Sequence, residues 1–182
     1  MRYAMVLILL VMGFSGCSTY AASRYSISGD TVSTLRAFRG HTVNVGPFTA
    51  PKPGRTEITR RAVGPIKTPD GESFEAFIRK ALVDELTISE VYGADAPVTL
   101  TGRLDDVDFS SGMTDAAWQI GLTVVSSTGK SVTVHETYQF KGNFVGEIAC
   151  QQTAHSLMPA VQNVVGKVVR HPDFPALVGA PR

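Results

Sequence analysis

Two cysteines, four histidines and one tight run of carboxylates are the side chains of this 182-residue chain whose types suit chemistry. Asp105, Asp106 and Asp108 are close enough in sequence to offer oxygen ligands to a hard cation. Their spacing matches no calcium loop, however, and charge guarding a strand edge explains them equally well. His135 and Glu136 are adjacent, so on a strand they point to opposite faces and cannot act on one substrate. His41 starts a predicted strand, His155 lies inside a predicted helix and His171 ends it. No G-x-S-x-G, H-E-x-x-H, paired C-x-x-C or phosphate-cradling glycine loop occurs. With no constellation to which acid, base or nucleophile roles can be assigned, a non-enzymatic protein without metal or cofactor is expected. Glu136 also shares parity with Val132, Val134 and Tyr138. Buried there, it would need a partner, an arginine or His155; a sheet end open to solvent needs none and is the preferred reading.

The other thiol-bearing position, Cys17, closes the stretch MRYAMVLILLVMGFSGC. Its apolar run is about nine residues, and a membrane span needs roughly twenty. One early positive charge, a short apolar middle and the small residues Ser15 and Gly16 fit an export signal over residues 1–16. The end of this signal resembles the lipobox of bacterial lipoproteins, with Phe14 where that family usually has leucine. The resemblance implies a diacylglycerol on the Cys17 thiol, cleavage just before it and acylation of the new amine. Ser18 stands where inner-membrane retention in enteric bacteria uses aspartate, so the resemblance implies the periplasmic face of a Gram-negative outer membrane. Several acyl chains suffice for stable anchoring, because each buried methylene contributes roughly 0.8 kcal/mol.

Composition sets further bounds. Without Arg2 the mature chain carries sixteen basic and sixteen acidic residues, a balance that argues against nucleic-acid binding. With Cys17 acylated, the chain offers Cys150 no second thiol for a disulfide; burial of its thiol is expected, with an intermolecular disulfide as the alternative.

The elements that must position these groups follow from periodicity. Residues 17–30 are small and polar and read as a lipidated tether. Val43 and Val45 alternate within a short strand that ends at Gly46-Pro47. Residues 46–71 carry five prolines and a basic excess that includes Arg55, Arg60 and Arg61. The plain reading is a solvated loop, with brief pairing at Thr56–Thr59; the functional one is a basic lip for an anionic partner. Thr68-Pro69 is expected to open a helix whose stripe is Phe74, Phe77, Ile78, Ala81, Leu82 and Leu86. Three strands follow, with a slip of parity at Asp105-Asp106 that predicts a β-bulge. Ser126–Lys130 joins the last two as a hairpin. A long helix over residues 146–170, interrupted at Pro159, completes the pattern.

The expected fold is α+β, in which a short N-terminal strand and a three-stranded meander form an antiparallel sheet. Two amphipathic helices pack on one of its faces. One domain spans 31–173, and 174–182 is read as a loose tail. The order lipobox, tether, strand, helix, three strands and long helix resembles small YajG-like periplasmic lipoproteins. More distantly it is similar to the auxiliary lipoproteins of lipid-transport ABC systems. These resemblances imply a scaffold or interaction subunit with an envelope protein partner. The alternative is a lipid- or amphiphile-binding accessory protein whose apolar cavity is lipped by Arg55, Arg60 and Arg61.

Overall fold

The computed structural model of the protein describes residues 20–60 and 65–180. Its main layer is a four-stranded sheet of β2 (Val43–Thr49), β5 (Val98–Ser111), β6 (Asp115–Ser126) and β7 (Ser131–Lys141), in that order. Helices α2 (Phe74–Ile88) and α3 (Gly146–Val169) cover one face. The α+β expectation holds in this layout.

Alternation sorts the two faces. Leu100, Leu104, Trp118, Ile120, Leu122, Val124, Val132 and Val134 point into the core against the helices. Thr101, Arg103, Gln119, Thr133, Thr137 and Gln139 stand on the exposed side, as an antiparallel sheet with one covered face permits. The parity slip at Asp105-Asp106 is a bulge: the β5–β6 register shifts between Leu104 and Asp106. It turns Phe109 inward against Trp118, with ring centroids 5.1 Å apart. Gly102 is required by a close approach, since a Cβ there would meet the Phe48 ring at 2.5–2.6 Å.

The structure departs from expectation in four places. β2 pairs parallel to β5, because α2 carries the chain back across the sheet before β5 begins. The helix after Pro69 starts later than Thr68 suggested. Pro69–Gly71 forms a 3₁₀ turn, Glu72 is extended, and Ser73 caps α2 by accepting from the Ala76 N–H at 3.3 Å. Within the tether stretch, β1 (Tyr20–Ala21) pairs with β4 (Ile66–Lys67), which pairs with β3 (Glu57–Ile58) in a second small sheet. Tyr20 and Ala22 are buried, and α1 (Gly29–Leu35) begins inside the same stretch, so residues 20–30 are part of the domain. At the other terminus the expected loose tail is docked: in α4 (Phe174–Leu177), Phe174 and Leu177 are fully buried, and Val178 beside it nearly so. Three apolar residues in one short segment recover enough surface from water to hold it down.

Candidate functional site

The basic lip is only partly assembled. Arg55 donates from Nε to the Glu57 carbonyl at 2.9 Å and borders a cleft of about 120 Å³. Lys52, Phe74, Glu75 and the bulge residues Leu104–Val107 complete its walls. Arg60 is committed elsewhere, as a two-toothed ion pair with Asp108 in which Nε lies 3.1 Å from Oδ1. Burial alone would raise the Asp108 pKa. The Arg60 hydrogen bond, the Phe109 N–H and the charges of Arg60 and Arg55 outweigh it and hold the carboxyl below its ordinary value. Arg61 and Cys17 lie outside the described residues.

The acidic run does not converge. Asp105 binds Arg103 Nε and the Thr123 hydroxyl, each at 2.6 Å, whereas Asp108 turns to Arg60. Among the described residues no group of three or more histidine, cysteine or acidic side chains is placed to hold a metal ion. His135 and Glu136 do diverge, His135 being exposed and Glu136 buried.

Glu136 therefore departs from the solvent-facing reading. Its carboxylate meets Lys167 Nζ at 2.8 Å and Asn163 Nδ2 at 3.3 Å, both from α3, and neither an arginine nor His155 takes part. Spacing of i, i+4 on α3 puts those two donors on one face above β7. A second buried carboxylate, Glu85, accepts from the Tyr25 hydroxyl at 2.6 Å and the Ser28 N–H at 2.7 Å. Burial raises its pKa more than these two donors lower it. Both groups tie chain segments together. Glu85 holds the segment before α1 onto α2, and Glu136 with Lys167 holds α3 to the edge strand.

The most unusual surface is apolar. The β5–β6 turn and the β7–α3 loop are tied together by the Gly142 N–H donating to the Thr114 carbonyl at 3.0 Å. Close approach of Gly142 to Gly112 and Met113 leaves no room for a Cβ. Asn143 Oδ1 accepts from the Val145 N–H at 2.9 Å and folds the loop so that Phe144 stands at its crest, 75% exposed. On the same tied loops and the first turn of α3, Met113, Val145 and Ile148 are 61%, 54% and 41% exposed. Beside them an open groove of about 460 Å³ runs between Ser110, Thr114–Ala117 and Gln139–Lys141.

No family model and no curated protein matches this chain. Among solved structures it is similar to the crystal structure of protein XCC0632 from Xanthomonas campestris, of the family model DUF330. The TM-score is 0.53 at 13% identity, over 84% of this chain and 95% of that one. The two share a fold. At that identity the likeness speaks to architecture alone.

Sequence reasoning missed the apolar crest and the Tyr25–Glu85–Ser28 link. The crest had a signal: a phenylalanine and a valine between glycines, in a connection where turn chemistry favours polar residues. The link had none, because its partners are far apart in the chain and only tertiary packing joins them.

Proposed function

We propose that the mature protein is acylated at Cys17 and held on the periplasmic face of a Gram-negative outer membrane. There it acts as a non-enzymatic interaction subunit for an envelope protein partner. The lipobox-like sequence before Cys17 supports the address. The observation that carries the role is how the space between sheet and helices is filled. Phe74 lies 6.3 Å from Trp118, Phe109 lies 5.1 Å from it, and all three rings are buried. The Trp118 indole N–H is spent on the Thr153 carbonyl at 2.9 Å, so even the polar atom of this cluster is satisfied internally. An amphiphile carrier would use that same interface, and pockets for such ligands run to roughly 300–1,000 Å³. The cleft beside Arg55, at about 120 Å³, is well below that size, and the larger hollows, about 510 Å³ beside Pro47 and Arg79 and about 460 Å³ beside Ser110 and Gln139, are open surface grooves and not enclosed cavities. Work by surface contact suits a domain whose interior is filled by its own side chains.

Native mass spectrometry of the detergent-solubilised full-length protein, purified from its own membranes, tests this reading. The expected result is an acyl mass on an N-terminal Cys17 and a co-purifying protein. A stoichiometric lipid surviving detergent exchange would favour the accessory lipid-binding alternative, and an unacylated N-terminus elsewhere would overturn the anchor.

A further inference from the structure

The position of the chain start relative to the apolar crest gives that crest an occupant. Ser26 lies on the middle of α3, where its carbonyl accepts from Gln162 Nε2 at 2.7 Å and its hydroxyl lies 3.8 Å from Met158 Sδ. From there the chain runs forward through α1 to Phe38, which packs on Phe174 beyond the C-terminal end of α3. Traced backward from Ser26, it therefore heads toward the N-terminal half of α3, and β1 packs against that helix. The small sheet holding β1 fixes the same place. Arg55 beside β3 accepts from the Phe74 N–H at 3.0 Å, Phe74 packs on Trp118, and Trp118 donates to Thr153 in the first half of α3. From Thr153 to Val145 the helix rises only about 12 Å. Cys17 precedes Tyr20 by three residues, which span at most about 10 Å. A lipid on Cys17 thus tethers the domain at the end that displays Phe144, and on so short a leash that this end cannot stand far from the bilayer.

We propose that Met113, Phe144, Val145 and Ile148 form a second membrane contact, seated among the headgroups of the leaflet that holds the acyl chains on Cys17. This rests on the reading of Cys17 as acylated. Aromatic and aliphatic side chains on two loops tied together by a backbone hydrogen bond suit shallow insertion, because the apolar atoms leave water while the backbone stays at the polar boundary. The contact orients the domain with α3 pointing away from the membrane and the Ser126–Lys130 hairpin facing the periplasm.

Phe144→Trp in the full-length lipidated protein reports the contact. The protein is reconstituted into vesicles of phosphatidylethanolamine and phosphatidylglycerol with brominated acyl chains, and its intact mass is measured on the same sample. Emission from the introduced indole is expected to be blue-shifted and dimmed about twofold relative to unbrominated vesicles. Trp118, fully buried, supplies a background measured on the unsubstituted chain. Ile88→Trp serves as the control. Ile88 is 53% exposed at the end of α2, next to the Val91–Gly93 segment that borders the far end of the sheet, and its probe is expected to stay undimmed. An acylated Cys17 with an undimmed probe at 144 would overturn the proposal while leaving the anchor intact, and would assign the crest to a protein partner. If Cys17 carries no lipid, the anchor fails on its own. Dimming at 144 in vesicles mixed with that protein would then uphold the crest as a membrane contact, and its absence would overturn it.

Discussion

The two ends of α3 carry similar apolar side chains and meet opposite fates. At the C-terminal end the chain folds back on itself: Phe174 packs edge-on against Phe38 at 5.2 Å, Leu177 is buried, and the Ala176 carbonyl takes the Thr128 hydroxyl at 3.4 Å. At the N-terminal end nothing in the described chain covers Phe144 or Val145. A chain that closes one end with a seven-residue segment had the means to close the other. The difference teaches that the open end is where contact with another surface is to be sought.

Breaking the closed end should have the largest effect. Phe174→Ala removes a fully buried ring and is expected to cost about 3–5 kcal/mol, read as a lowered midpoint in urea unfolding. An effect below 1 kcal/mol would mean that the tail is not part of the cooperative unit. Lys167→Ala leaves Glu136 buried with Asn163 as its remaining donor. Lys167 is itself half exposed, so the expected loss is about 1–2 kcal/mol, less than for a fully buried pair.

Glu85 sharpens the contrast through pH. Its folded pKa is raised by burial, so its contribution to stability is fully present below the unfolded value near 4.5 and is lost as pH rises through the folded value. Glu85→Gln keeps an acceptor for Tyr25 and Ser28 but cannot ionise. Chemical denaturation across that window should show the variant gaining on the unsubstituted protein as pH rises, and an unchanged difference would mean that the carboxylate is not desolvated. Asp108 has the opposite sign. Its folded pKa is lowered, so its stabilisation is present above the ordinary carboxylate value and is lost in acid. Arg60→Ala removes that pairing, so the variant is expected to be less stable near neutral pH and to lose less stability than the unsubstituted protein as pH falls below ~4, read by chemical denaturation. An equal loss in both would mean that the pair does not depress the Asp108 pKa.

The smallest stability effect is expected at the open end. Phe144→Ser should change the unfolding free energy by no more than about 0.5 kcal/mol, because the ring is already in water. A larger loss would show that the crest contributes to the fold and is not an idle apolar surface awaiting contact.

Much of the architecture was legible because it rests on periodicity. The stripe from Phe74 to Leu86 on α2, the inward parity of Trp118, Ile120, Leu122 and Val124, and the slip at Asp105-Asp106 are local patterns with a period of 3.6 or 2. The parallel pairing of β2 was not, since a seven-residue strand carries no mark of its neighbour's direction. Of the expected lip, Arg55 borders a cleft and Arg60 is neutralised by Asp108, forty-eight residues away, a pairing that spacing could not reveal. The inward parity of Glu136 is legible, but Lys167, the partner that makes its burial tolerable, sits on another element and carries no mark in the sequence.

By itself the sequence determined the α+β class, the helix and strand faces and the bulge, because each depends on side-chain alternation within a few residues. Tertiary structure alone decided that residues 20–30 and 174–180 belong to the folded domain, that Glu85 and Glu136 have partners, and that the loops carrying Met113 and Phe144 are tied together at one end of the sheet. Those outcomes depend on which distant segments share a boundary with water, and that is settled only when the whole chain closes on itself.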